Sequence, residues 1–203
     1  NYNIYWKLEK YQFVFKALEK LLHLDEINSF IEENKHLKNF AFLDAILKQF
    51  DFHYKVSNQN IRKIPAEGRT LIVANHPIGS LDGLALLRMI YDIRPDVKII
   101  ATPLLTSIKP LNDLFLPIDN ISKKSCHKAN LNNIHTALKA EQAVIIFPAG
   151  EVSRITPKGI KDGQWKTGFL RMAEATLSPI VPVYVNSRNS ASFYAASTLF
   201  KPL

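Results

Sequence analysis

The sequence predicts an α/β fold, in which helices flank a layered, mixed β-sheet and an N-terminal helical region comes first. Short apolar runs of strand length recur along the chain, at 71–74, 97–100, 116–118, 143–148 and 180–186. Apolar residues at helical spacing fill the stretches between these runs, at 83–92, 104–114, 124–140 and 166–176. This β-then-α rhythm is typical of a sheet with helices packed on its faces.

The N-terminal stretch 2–23 predicts a helix with a wide apolar face that is rich in aromatic residues. Two interpretations of this face stay open. The helix can lie in a membrane interface, with Tyr5 and Trp6 at the level of the headgroups beside lysines. Alternatively, it can pack against the core of the protein, as apolar helix faces commonly do.

Two more helical stretches follow, one beginning after Asp25 and one near Asn39. The alternating segment 53–65 then predicts a short hairpin. We therefore expect two regions, namely N-terminal amphipathic helices with a membrane-facing role over residues 1–52 and one compact domain over residues 53–203.

Composition sets the broad class of the protein. With 203 residues, of which 47% are hydrophobic, the chain can bury a full core. Its net charge of +8 favours an anionic partner such as nucleic acid, an anionic bilayer or a phosphorylated substrate. Cys126 is the single cysteine, which excludes an internal disulfide and predicts a packed thiol. No apolar run reaches the roughly 18 residues of a spanning helix. Because the first residue is Asn, we expect a fragment of a longer protein.

The first chemical motif follows the apolar run 71–74 and reads NHPIGSLDG. In open α/β folds, functional sites lie where the chain leaves the carboxyl ends of the strands. His76 can take a proton from a hydroxyl there, and a carboxylate from Asp82 can fix the tautomer of its ring. The alternative is that Asp82 only caps the following helix, and His76 is a polar turn residue.

The second motif follows the apolar run 143–148, where the chain continues as a glycine turn with Glu151 and Arg154. A guanidinium recognises phosphate or carboxylate, and the N–H groups of a glycine turn can add to the binding. The alternative interpretation is an ion pair at the protein surface.

Together these motifs resemble the glycerolipid acyltransferases, the family of 1-acylglycerol-3-phosphate acyltransferase. NHPIGSLDG is similar to the histidine–aspartate signature of the family, and FPAGE is similar to its FPEG block. Three further segments resemble family blocks and occur in the family's order, at 116–118, 166–173 and 180–183.

The chain departs from the family pattern in two ways. Five residues separate His76 from Asp82 instead of four, a spacing that resembles the haemolysin-like bacterial branch, some of whose members are linked to ornithine-lipid synthesis. Ala149 stands where FPEG has its glutamate, while Glu151 follows the glycine and Arg154 lies two positions beyond the family's arginine.

The resemblance implies a peripheral enzyme on the cytoplasmic side of the bacterial inner membrane, bound to an anionic membrane surface and not to nucleic acid. It would move a fatty acyl group from acyl-coenzyme A or acyl carrier protein to a hydroxyl of a lysophospholipid or lyso-ornithine-lipid acceptor, with no metal or cofactor. His76 would be the general base and Asp82 its orienting group. The expected substrate-binding residues are Asn75, Gly79, Phe147, Pro148, Gly150, Glu151, Arg154 and Lys166.

Other functional classes remain open at this point. A catalytically silent lipid-binding domain would keep the site and lack turnover. A basic nucleic-acid-binding module would use the positive charge, although the basic segment 121–128 has no interleaved aromatic residue. A serine hydrolase would require a G-x-S-x-G elbow, which the sequence lacks.

Overall fold

The computed structural model of the chain describes residues 24–102, 105–118, 124–157, 159–190 and 193–194. The chain divides into two compact units, with the division between Lys38 and Asn39. In the first unit, helix α1 spans Leu24–Glu33. The predicted helix at 2–23, and with it the membrane-facing role of that stretch, lies outside the described residues.

The second unit contains the remaining elements. Its α-helices are α2 (Asn39–Gln49), α3 (Asn58–Ile61), α4 (Ser80–Tyr91), α5 (Lys124–Lys139) and α6 (Gly168–Thr176). Its strands are β1 (Thr70–Ala74), β2 (Val97–Ala101), β3 (Phe115–Pro117), β4 (Ala143–Ile146), β5 (Arg154–Thr156), β6 (Gly159–Lys161) and β7 (Ile180–Val183). Two short 3₁₀ helices, Leu105–Ser107 and Lys109–Leu114, connect β2 to β3.

Five of the strands form one sheet in the order β3-β2-β4-β1-β7. All of its neighbouring strands are parallel, and residue Ile72 of β1 pairs with Ile145 of β4 on one side and Val181 of β7 on the other. Antiparallel pairing occurs in a separate two-stranded hairpin formed by β5 and β6. The predicted α/β class is thus confirmed, and the expected mixed sheet is refined to a parallel sheet with an antiparallel hairpin beside it.

The core explains why the central strands have such apolar sequences. Every residue of β1 and β4 is buried, as expected for parallel strands that are covered on both faces. On one face, Leu71 and Val144 belong to a cluster with residues of α5 and α6 such as Leu138 and Met172. Because side chains alternate along a strand, Ile72 and Ile145 point to the opposite face, on which α4 packs against β2.

The structure differs from the sequence-based prediction at one domain boundary and in one local element. Helix α2 buries Phe42 and Leu43 within the second unit and packs against α4, so the expected boundary after residue 52 falls inside this unit. The hairpin predicted at 53–65 is wrong. The segment contains the single helical turn α3, which begins where the Ser57 hydroxyl accepts a hydrogen bond from the Asn60 N–H at 3.3 Å.

Across the part of the chain that the structure describes, no helix has the length and apolar character needed to cross a membrane.

Candidate active site

The two motifs meet because β1 and β4 are neighbouring parallel strands. Val73 pairs with Ile146, so the turns that follow the two strands leave the same edge of the sheet side by side. The ring of Phe147, from the second turn, stacks on the ring of His76 with centroids 4.0 Å apart and an angle of 20° between the planes. The aromatic residue of FPAGE therefore supports one face of the histidine ring.

His76 and Asp82 are in contact. Nδ1 of His76 lies 2.9 Å from Oδ1 of Asp82, and the Asp82 side chain is 1% exposed while that of His76 is 19% exposed. Both atoms are buried, and neither has an aligned hydrogen bond to any described residue. The contact is close, but its hydrogen-bond geometry is not ideal.

Asp82 also caps helix α4, and it uses its other oxygen to do so. Oδ2 accepts hydrogen bonds from the backbone N–H groups of Ile78 at 2.7 Å and Gly79 at 3.3 Å. Gly79 is the N-cap residue and has no side chain, so the carboxylate at the third helical position supplies the cap. The two interpretations of Asp82 are therefore compatible, because Oδ2 caps the helix and Oδ1 faces His76.

The turn between the two residues depends on Gly79. Its φ of 111° lies in a region that side chains rarely adopt. A Cβ at this position would also lie 3.2 Å from Cγ2 of Val152, which follows the second turn. Gly79 thus allows the turn to fold back so that Asp82 reaches His76, and it leaves room for the neighbouring turn.

A second carboxylate, Asp162, holds the main chain of His76. Its Oδ1 accepts hydrogen bonds from the His76 N–H at 3.2 Å and from the Ser153 hydroxyl, and its Oδ2 accepts one from Nε1 of Trp165 at 2.9 Å. The Ser153 N–H in turn donates to the His76 carbonyl at 2.8 Å. Asp162 and Trp165 were not predicted from the sequence, because no spacing pattern of a single sequence links them to His76.

The segment after β7 supports the histidine turn from another direction. The Asn75 amide donates to the Val185 carbonyl at 2.9 Å and accepts from the Val185 N–H at 2.7 Å. Asn189 donates to the carbonyls of Pro77 and Ile78 at 3.0 and 3.2 Å. The Asn75 side chain is therefore engaged with backbone in this structure, and its expected role in substrate binding stays a prediction.

The second turn is formed by backbone interactions. The Gly150 N–H donates to the Phe147 carbonyl at 3.0 Å, and Gly150 has a φ of 68°. The Pro148 carbonyl accepts a hydrogen bond from the Lys166 N–H at 3.0 Å. The Lys166 side chain is exposed. Ala149, which replaces the glutamate of FPEG, is buried. A larger charged side chain at this position would therefore have to enter the protein interior.

Glu151 and Arg154 form the ion pair that was one of the two sequence interpretations. Nε of Arg154 lies 3.2 Å from Oε2 of Glu151, and the two side chains are 23% and 48% exposed. Gly163 lies directly against the other oxygen, since a Cβ there would be 2.6 Å from Oε1 of Glu151. The pair lies next to the histidine turn, because Arg154 directly follows the Ser153 that binds the His76 carbonyl.

A metal-binding cluster is not found in the described residues, where no group of three or more His, Cys, Asp or Glu side chains is suitably placed.

Comparison with known proteins identifies relatives over almost the full chain. A family model described as acyltransferase matches residues 7–203. The lyso-glycine lipid O-acyltransferase of Bacteroides thetaiotaomicron is 34% identical over 195 residues, which cover 95% of this chain and 70% of the relative. The lyso-glycine lipid O-acyltransferase of Phocaeicola vulgatus is 30% identical over 193 residues, which cover 95% of this chain and 68% of that protein.

Among solved structures, the 1-acyl-sn-glycerophosphate acyltransferase of Thermotoga maritima is similar, with 19% identity and a TM-score of 0.42. The similarity covers 83% of this chain and 70% of that one. The family match and the two curated relatives confirm the predicted resemblance, and the chain belongs to the acyltransferase family as an O-acyltransferase.

Proposed function

We propose that this O-acyltransferase moves a fatty acyl group from a thioester to the hydroxyl of a lyso-lipid, with His76 as general base and Asp82 as its orienting carboxylate. The observation that carries this proposal is the 2.9 Å contact between His76 Nδ1 and Asp82 Oδ1. A proton on Nδ1 then faces the carboxylate, and Nε2 is left with a lone pair for the substrate. The histidine side chain is 19% exposed, so a substrate hydroxyl can reach it.

In the proposed reaction, Nε2 of His76 removes the proton of the acceptor hydroxyl as the oxygen attacks the thioester carbonyl carbon. The tetrahedral intermediate collapses when the carbon–sulfur bond breaks. The thiolate then takes the proton from Nε2, so that an ester and a free thiol are formed. The buried Asp82 carboxylate stabilises the imidazolium between these two steps, and no protein nucleophile is required.

We propose a lyso-lipid with an anionic headgroup as the acceptor. The curated relatives are named for lyso-glycine lipid, and glycine carries a carboxylate. Arg154 lies beside the histidine turn and can bind a carboxylate or a phosphate, which the lysophospholipid and lyso-ornithine-lipid alternatives also carry. Acyl-coenzyme A or acyl carrier protein is the proposed donor.

We also propose that the enzyme works at an anionic membrane surface, on the cytoplasmic side of the bacterial inner membrane. The net charge of +8 favours this surface. Near the site, Ile155 and Ile160 are register partners in the β5–β6 hairpin, and both are exposed. Exposed apolar side chains next to Arg154 and Lys161 match the boundary between acyl chains and anionic headgroups.

Thiol release from palmitoyl-coenzyme A or palmitoyl-acyl carrier protein tests the reaction, with lyso-glycine lipid, lyso-ornithine lipid and lysophospholipids as acceptors. We expect acceptor-dependent release that falls at least about a hundredfold in His76→Ala, as for a lost general base. His53→Ala is a matched control, because His53 lies 2.9 Å from Asp51 in a pair that is exposed to solvent.

Two results would contradict the proposal. Release that survives His76→Ala would make His76 a structural turn residue. No release from the wild-type protein with any donor and acceptor, combined with retained lipid binding, would support the silent lipid-binding alternative.

A further inference from the structure

We propose that Asp162 is a positioning residue for His76. Together with Ser153 and Trp165 it forms a network, here called the Asp162 network, that fixes the main chain of His76 so that the ring meets Asp82. The inference rests on the proposed role of His76 as general base. It adds a second carboxylate contact to His76, from a residue outside both sequence motifs.

The Asp162 network binds both backbone polar groups of His76. The N–H donates to Oδ1 of Asp162 at 3.2 Å, and the carbonyl accepts from the Ser153 N–H at 2.8 Å. The Ser153 hydroxyl donates to the same Oδ1, which joins the two contacts into one unit. Ser153 is 3% exposed, so water cannot easily replace these bonds.

A shift of the His76 main chain would change the 2.9 Å distance between His76 Nδ1 and Asp82 Oδ1. Asp82 is itself fixed, because its second oxygen caps helix α4. The distance between the two side chains therefore depends on where the backbone of His76 is held. A misplacement of about 1 Å in a reacting group can cost about a hundredfold in rate.

The network requires a carboxylate at position 162. Its three neighbours, the His76 N–H, the Ser153 hydroxyl and the Trp165 indole N–H, all donate to it. A carboxylate offers two acceptor oxygens, whereas an asparagine must direct its NH₂ group toward one of these donors. An asparagine that keeps its oxygen on His76 and Ser153 would turn its NH₂ toward Trp165.

This geometry allows a rescue experiment, in which a second substitution should restore activity that the first one removes. We expect Asp162→Ala to lower kcat by about a hundredfold, with KM for the acceptor changed by less than about threefold, since positioning affects the chemical step. Asp162→Asn should lower kcat by about tenfold, because its NH₂ opposes the Trp165 N–H. Trp165→Phe removes that N–H and keeps a ring beside Phe169. The double variant Asp162→Asn/Trp165→Phe should therefore recover most of the kcat that Asp162→Asn loses.

Hydrogen–deuterium exchange provides a readout that does not depend on activity. In Asp162→Ala the His76 amide loses its acceptor, so exchange in peptides covering β1 and the histidine turn should become faster. Exchange in β2, which pairs with β3 and β4 and not with β1, should stay at the wild-type rate. If Asp162 contributed only to the overall stability of the protein, Asp162→Ala would increase exchange in both regions.

The inference is overturned if Asp162→Ala keeps kcat within threefold of wild type, or if the double variant is no more active than Asp162→Asn. It is also overturned if Asp162→Ala folds and leaves exchange at His76 unchanged. Failure of the proposed function would look different, since the wild-type protein itself would lack acyl transfer. In that case exchange at His76 alone decides whether Asp162 positions the histidine.

Discussion

The turns that follow β1 and β4 leave the same edge of the sheet, but their side chains differ in burial and in the contacts that they make within the protein. In the first turn Asp82 is buried, both of its oxygens have partners within the protein, and His76 is held through its ring and its backbone. In the second turn Glu151 is half exposed and forms an ion pair with Arg154 at the surface. The His76–Asp82 pair of the first turn is held by several contacts within the protein, whereas the second turn carries an ion pair whose Glu151 is half exposed.

With the proposed function, this difference predicts different kinetic roles for the two turns. Groups that are fixed before binding act mainly on the chemical step, because their geometry is already close to that of the transition state. Groups that bind the substrate equally in the ground state and the transition state act on KM. Substitutions in the first turn should therefore lower kcat, and substitutions in the second turn should raise KM.

Asp82→Asn is the most severe test of the first turn. The Ile78 and Gly79 N–H groups both require an acceptor, so the new amide should place its oxygen on them and turn its NH₂ toward His76 Nδ1. That contact favours the wrong tautomer, with the proton on Nε2. We expect kcat to fall on the order of 10³- to 10⁴-fold with little change in KM.

Thermal unfolding provides the control for this variant. Because the asparagine still caps α4, its Tm should stay close to that of the wild type. Asp82→Ala loses the cap as well and should be less stable by about 0.5–2 kcal/mol. An Asp82→Asn enzyme with wild-type kcat would show that Asp82 is a capping residue only.

Much of the first turn was predictable because its information is local. The apolar run of β1, the glycine and the aspartate lie within a few positions of each other, and the resemblance to a known family implied the roles that we propose for His76 and Asp82. The structure confirms that the two residues meet. The α/β class was predictable for the same reason, since each strand and helix has its own periodicity.

The parts that were missed depend on contacts between distant positions. Asp162 is 86 positions from His76, and Asn189 is 112 positions from Pro77, and neither pairing leaves a local pattern. The β5–β6 hairpin was missed because each strand has three residues, too few to show alternation. The opposite error occurred at 53–65, where the residues that suggested alternation form a single helical turn capped by Ser57.

Arg154→Gln tests the second turn, with a smaller expected effect. If the guanidinium binds the anionic headgroup in both the ground state and the transition state, its loss raises KM for the acceptor and leaves kcat nearly unchanged. A hydrogen bond to a charged group contributes about 1.5–3 kcal/mol, so we expect KM to rise by about tenfold to a hundredfold. Initial rates at varied acceptor and fixed donor measure this change.

Arg171→Gln is the matched control, because Arg171 is an exposed arginine on α6. Its KM should stay near the wild-type value. A loss of kcat in Arg154→Gln without a change in KM would contradict the assignment, since the arginine would then belong functionally with the first turn.

The smallest expected effect concerns the hairpin beyond the second turn. In Ile155→Ser/Ile160→Ser, two exposed apolar side chains that pair across β5 and β6 become polar. Their partial burial in a bilayer would contribute less than the roughly 1.5–3 kcal/mol of a fully buried isoleucine. We expect binding to anionic liposomes to weaken by about tenfold, while kcat on detergent-dispersed acceptor stays at the wild-type value.

Leu177→Ser is the control, because Leu177 is 83% exposed but precedes β7, at the opposite edge of the sheet from the site. Equal weakening in both variants would mean that apolar exposure in general drives liposome binding, and unchanged binding in the hairpin variant would place the membrane contact on another part of the chain. A selective loss in the hairpin variant would extend the comparison of the two turns, with chemistry in the buried turn, acceptor binding in the exposed turn, and the approach to the membrane in the hairpin that follows it.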